Sequence, residues 1–82
     1  PNPFNPETVI KFAIPKDEVV KLFVFNIIGQ KVATLVDGFL EKGFYKMNFD
    51  ARNYGDELSS GIYIYKLETP SFTQTKKMIL VK

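Results

Sequence analysis

Apolar residues recur at every second position in one stretch of this chain after another, and that period belongs to strands rather than helices. The clearest case lies within Glu18–Lys31, EVVKLFVFNIIGQK. From Val19 to Phe25, Val20, Leu22 and Val24 share one face, while Val19, Lys21, Phe23 and Phe25 share the other. Both faces are mainly apolar, which predicts a strand inside a sheet with most of both surfaces covered. Asn26, Ile27, Ile28 and Gly29 then spell a type I turn, because Asn bonds nearby backbone from the first position and Gly accepts positive φ at the fourth. A hairpin follows, and the chain from Lys31 runs back antiparallel.

The same reading extends to both ends. Prolines at positions 1, 3 and 6 of PNPFNP remove backbone donors and favour extended backbone, so residues 1–7 read as a linker and residues 8–82 as one domain. Phe4 is expected to dock onto that domain, since a lone large aromatic is poorly placed in solvent. Thr8–Ile14 forms a first strand with Ile10, Phe12 and Ile14 on its apolar side, and a turn follows at Ile14, Pro15, Lys16 and Asp17. In Lys31–Phe39 the alternation breaks near Ala33 and Thr34, as a bulge or a short interruption would require. Asp37-Gly38 and Glu41-Lys42-Gly43 each offer a tight turn.

Alternation returns at Phe44–Phe49, with Tyr45, Met47 and Phe49 together on one side. Asp50–Ser60, DARNYGDELSS, has neither period and reads as a loop crossing between sheets. Tyr63, Tyr65 and Leu67 share a face of Ile62–Glu68, and a turn at Thr69, Pro70, Ser71 and Phe72 leads to the last strand, Thr73–Val81. There Met78 and Leu80 take one face, Ile79 and Val81 the other. Six or seven short strands with no helical segment predict an all-β, immunoglobulin-like sandwich of about seven antiparallel strands, ahead of a small barrel.

Composition narrows the function. A chain of 82 residues that is 45% hydrophobic and 15% aromatic folds as a single domain and is not disordered. It has no cysteine and no histidine, so disulfides, thiolate metal sites and the commonest general base are all missing. No enzyme, cofactor or metal function is expected. The net charge is +2, but without Lys76, Lys77 and Lys82 eight positive charges would face nine negative ones, so the basic character belongs to the last strand. A single arginine, Arg52, and no broad basic face argue against nucleic-acid binding. No apolar run approaches the ~18–20 residues that span a bilayer. The abrupt opening at Pro1 reads as the end portion of a longer protein.

Three constellations remain. Asp50, Asn53, Asp56 and Glu57 offer oxygens to calcium, but their spacing is not that of a calcium loop, and a solvated crossover explains them better. Phe44, Tyr45, Tyr54, Tyr63 and Tyr65 would stack on sugars if they formed an exposed row; core packing explains most of them, and Tyr54, in the loop, is expected to be the exposed one. The lysine-flanked last strand has two readings of equal weight. Its lysines discourage pairing with other chains, or they make the strand an address that a partner reads by strand addition or in an acidic pocket.

Taken in order, PNPFNPETVIKFAIP, VKLFVFNIIGQKVATL, LSSGIYIYKLE and KKMILVK resemble the C-terminal sorting domain of cargo proteins of the bacterial type IX secretion system. The resemblance covers essentially the whole chain. The immunoglobulin-like domain of flagellar hook-capping proteins is similar in its NPFNP and SGIY-like segments. The resemblance implies a seven-stranded immunoglobulin-like domain that directs a covalently linked N-terminal passenger through the outer-membrane translocon. A sortase-like peptidase then cuts upstream of Pro1, and the passenger is anchored at the surface or released.

By motif position, Gly29 matches the family's turn glycine, and Gly61 and Tyr63 its SG-x-Y segment. Lys76, Lys77, Met78, Ile79, Leu80, Val81 and Lys82 correspond to the terminal signal, and Asn26 stands where the family often has Asp. The expected domain is monomeric, passing through the periplasm to the cell surface or the medium. A carbohydrate-binding or structural accessory module of a secreted enzyme is the alternative reading.

Overall fold

The computed structural model describes residues 6–81, without the side chains of residues 55–57. The expectations for Pro1–Asn5, Phe4 among them, and for Lys82 lie outside the described residues. Six strands form among the described residues: β1 (Glu7–Ile14), β2 (Glu18–Asn26), β3 (Lys31–Leu40), β4 (Gly43–Asp50), β5 (Gly61–Glu68) and β6 (Thr73–Leu80). They make two antiparallel sheets, one of order β1-β4 and one of order β3-β2-β5-β6. Only the turns after β2 and β5 are hairpins within a sheet. The other three connections cross between sheets, as in immunoglobulin sandwiches, where the second and fifth strands (B and E) share one sheet and C, F and G the other.

Each inner face is the apolar parity of its strand. Ile10, Phe12 and Ile14 from β1 and Phe49 from β4 meet Val20, Leu22 and Val24 of β2, Tyr63 and Leu67 of β5, and Met78 and Leu80 of β6. Val20, Leu22 and Val24 are wholly inaccessible to solvent. Burying a side chain of this size stabilises the fold by about 1.5–3 kcal/mol, and β2 supplies three such residues at the centre of the larger sheet.

The β2–β3 turn forms as its sequence predicts. Gly29 N donates to Asn26 O at 3.0 Å, the Asn26 side chain accepts from the amides of Ile28 and Gln30, and Gly29 has φ +88°. The break in the β3 pattern is a pair of bulges. The register against β2 skips Val32 and Leu35, on either side of the predicted position.

Three expectations are corrected. Asp37-Gly38 is not a turn, because Lys21 and Val20 hold both residues in the ladder, so β3 continues to Leu40 and turns at Glu41–Gly43. Asp50–Ser60 does cross between the sheets but contains a 3-10 helix, Ala51–Glu57, capped by the Asp50 carboxylate, which accepts from Arg52 N at 2.9 Å. Seven residues are too few to show a period, so the sequence did not reveal it. The outer face of β2 is not covered, since Val19 is 49% exposed, Lys21 is exposed, and Phe23 and Phe25 are only half-buried.

Candidate recognition surface

β6 closes one side of the larger sheet, and its outer edge faces no other strand among the described residues. Pairing with β5 sets which way each side chain points: Leu80 stands opposite Gly61, Ile79 opposite Ile62, Met78 opposite Tyr63, Lys77 opposite Ile64 and Lys76 opposite Tyr65. Tyr63 and Tyr65 face inward, so Lys76, Met78 and Leu80 share the inner side and Lys77 and Ile79 the outer. The seven residues of the expected terminal signal therefore divide. Met78 and Leu80 belong to the core, whereas Lys76, Lys77, Ile79 and Val81 are exposed, and Lys82 lies outside the described residues.

Lys76 stays exposed despite its inward parity because the two-stranded sheet is too narrow to cover the first half of β6. Along that open flank runs a groove of about 590 Å³ bordered by Lys11, Lys46 and Lys76 and by Phe12, Phe44 and Tyr45. An inward-pointing charge on an edge strand opposes unwanted strand pairing, and Lys76 has the orientation that the protective reading of the lysines requires. Lys77 stands on the outer face beside exposed apolar residues.

The motif residues outside β6 build the scaffold for this strand. Gly61 opens β5 at φ +148°, a conformation that side-chain-bearing residues rarely adopt. Two residues on, the buried Tyr63 sends its hydroxyl back to donate to Ser59 O at 2.8 Å. A tyrosine at the start of this strand, bonded to backbone a few residues upstream, is the corner that pins the crossover in immunoglobulin-like domains. Motif matching placed Gly61 and Tyr63 together, and the structure gives the pair its joint task.

The other constellations are put to structural use. Asp50 is held by Arg52, whose Nε and Nη2 donate to it at 2.9 and 2.8 Å, and Nη2 also reaches Glu7 at 3.0 Å. The Arg52 side-chain hydrogen bonds, and then its backbone amide, lower the Asp50 pKa from the ordinary 3.8 to about 2. Of the remaining members of that cluster, Asn53 is exposed, and the side chains of Asp56 and Glu57 are outside the described residues.

The aromatic set is dispersed. Tyr45 stacks on Phe12 at 5.3 Å, Tyr63 is buried, and Tyr65 is half-buried, with burial raising its pKa. Tyr54, expected to be the exposed member, is carried by the 3-10 helix onto Phe49 at 5.4 Å. Phe44 is the exposed one, at 94%, on the outside of β4.

What the sequence reading missed is the outer face of the larger sheet. Register sets Lys31, Phe25, Ile64 and Lys77 in one row across all four strands, with Thr34, Phe23, Lys66 and Thr75 in the next and Ile62 beside Ile79 at the end. Its signal is present as apolar residues at the second parity of β2 and of β5, and only that of β2 is read from the sequence as covered. Among the described residues no helix is long and apolar enough to cross a membrane.

The family model for the secretion system C-terminal sorting domain matches residues 1–82. No curated protein and no solved structure matches the chain. A match over the full length, carried on a two-sheet sandwich whose turn glycine and SG-x-Y corner are in place, settles the family: the chain belongs to the C-terminal sorting domains of type IX secretion.

Proposed function

We propose that this chain carries a covalently linked passenger across the outer membrane by presenting the exposed residues of its terminal strand, Lys76, Lys77, Ile79 and Val81, to the type IX translocon, with Lys82 continuing the same signal. Met78 and Leu80 serve the same end from inside, by anchoring the strand to the core. The passenger is then anchored at the surface or released after a sortase-like peptidase cuts upstream of Pro1, and the domain itself performs no chemistry. The observation that supports this most is the placement of β6 at the margin of the larger sheet with its cations in solvent. A sugar-binding role lacks such support, because Tyr45, Tyr54, Tyr63 and Tyr65 pack into or against the core and only Phe44 is fully exposed, so no exposed aromatic row forms.

Deleting residues 76–82 from a passenger fusion in a type IX host would test the signal crudely, because it also removes Met78 and Leu80 from the core. Lys77→Glu is the sharper variant. Its side chain is exposed and free of core contacts, so the fusion should fold as before and accumulate in the periplasm, with export down by about tenfold or more if the lysine is one side of a buried charged contact worth ~2 kcal/mol. Export at the unsubstituted level by both Lys77→Glu and Lys76→Glu would remove the proposed reading of the strand.

A further inference from the structure

An antiparallel sheet with one face in water carries polar residues at alternate positions. The larger sheet departs from this at both ends: Val19 and Phe39 pair on the outer face at one, and at the other, more extensively, β2 and β5 turn Phe23, Phe25, Ile62 and Ile64 outward and β6 adds Ile79 beside Ile62. Ile62, Ile64 and Ile79 are 44, 38 and 63% exposed. Lysines frame the area: Lys31 stands beside Phe25 with its ammonium 4.3 Å over the Phe23 ring, and Lys77 stands beside Ile64. The nearest carboxylates on this face, Asp37 and Glu68, lie two rows back, roughly 14 Å along the strands. Glu68 is already paired with Lys66 at 2.9 Å. Contiguous exposed apolar surface of this kind marks an interaction site.

We infer that this face, built from Phe25, Ile62, Ile64 and Ile79 between Lys31 and Lys77, docks a folded protein surface that is apolar at its centre and acidic at its rim. The inference rests on the sorting reading and deepens it: the terminal strand is recognised as one margin of a surface spanning four strands. Charge selects the occupant. A second copy stacked face to face would crowd the Lys31 and Lys77 ammonium groups of both molecules around one apolar centre, with no carboxylate in that row to offset them. An acidic rim meets both lysines at once, and the apolar centre accounts for residues that water alone would not favour.

The test is export of a passenger fusion in a type IX host, read as the ratio of extracellular to periplasmic passenger. Thermal unfolding of each purified variant confirms that it is folded. Ile62→Ser combined with Ile64→Ser, and separately Lys31→Glu, should each lower the ratio at least tenfold, while Lys31→Arg retains it. Phe44→Ser, which removes a still more exposed apolar side chain from the opposite sheet, should leave it unchanged.

Normal export by the double variant and by Lys31→Glu, alongside loss by Lys77→Glu, would overturn the four-strand surface and leave the sorting reading standing. An intact fusion that is not exported would instead count against the sorting reading itself. A concentration-dependent dimer in sedimentation, abolished by the double variant while export continues, would replace the acidic partner with a second copy.

Discussion

Asp50 ends β4, caps the 3-10 helix with one oxygen and receives the Arg52 guanidinium, so one carboxylate fixes where the crossover begins. Because these hydrogen bonds favour the charged form, its pKa in the folded chain, about 2, lies below its ordinary 3.8. The sign of the linkage follows. The contribution to stability is fully present above the ordinary value and is lost as pH falls from there through about 2. A carboxyl-carbon NMR titration should give a midpoint of about 2 for Asp50 in the native chain, and Arg52→Gln should return it toward 3.8. A native midpoint near the ordinary value would mean that Arg52 does not hold the carboxylate in solution. The sequence identified Asp50 as a turn former and a candidate calcium oxygen in an acidic stretch, but not as a helix cap held by Arg52. Its partners at positions 52 and 7 come together only because β1 pairs with β4, aligning Glu7 with Asp50.

At the scale of the strand, alternation in β1, β4 and β5 grouped the inner-face residues correctly, whereas in β6, apolar on both faces, it separated Met78 and Leu80 from Ile79 and Val81 without deciding which pair faces the core. It did not reveal which strand neighbours which, because pairing depends on the crossovers and not on the strands themselves. It also could not tell an apolar outer face open to solvent from one buried within the domain, because the pattern of β2 reads the same in both cases. For β6 the parity divides a single motif between two tasks, and that division is measurable. Leu80, fully buried, should cost about 2–5 kcal/mol when replaced by alanine. Ile79, its outward neighbour, should cost no more than about 0.5 kcal/mol when replaced by threonine, which keeps the branch that strands favour. Urea unfolding of the two variants decides the matter. Equal losses would mean that the whole terminal motif serves folding, with no outward half left over for recognition.

For the molecule as a whole, the two sheets differ in self-sufficiency. A two-stranded sheet is marginal in water by itself, so β1 and β4 persist only because Ile10, Phe12, Ile14 and Phe49 are sealed against the larger sheet. The larger sheet depends on the smaller one in turn, since Val20, Leu22, Val24 and Leu80 would otherwise face solvent. The sandwich should therefore unfold as one unit. Ile10→Ala, in the smaller sheet, removes about 2–5 kcal/mol from a domain whose total is of the order of 5–15 kcal/mol. It should lower by the same amount the midpoint seen by far-UV circular dichroism and that seen by tyrosine fluorescence in a Tyr45→Phe, Tyr54→Phe background, where only Tyr63 and Tyr65 of the larger sheet report. Separate midpoints would show that β1 and β4 can detach while the larger sheet survives. The terminal strand would then remain presented on a four-stranded remnant, and export would tolerate loss of the smaller sheet. A single midpoint means that damage anywhere in the core withdraws the recognition face along with the fold, so core variants of this domain should lose export in proportion to the fraction unfolded at the temperature of the host.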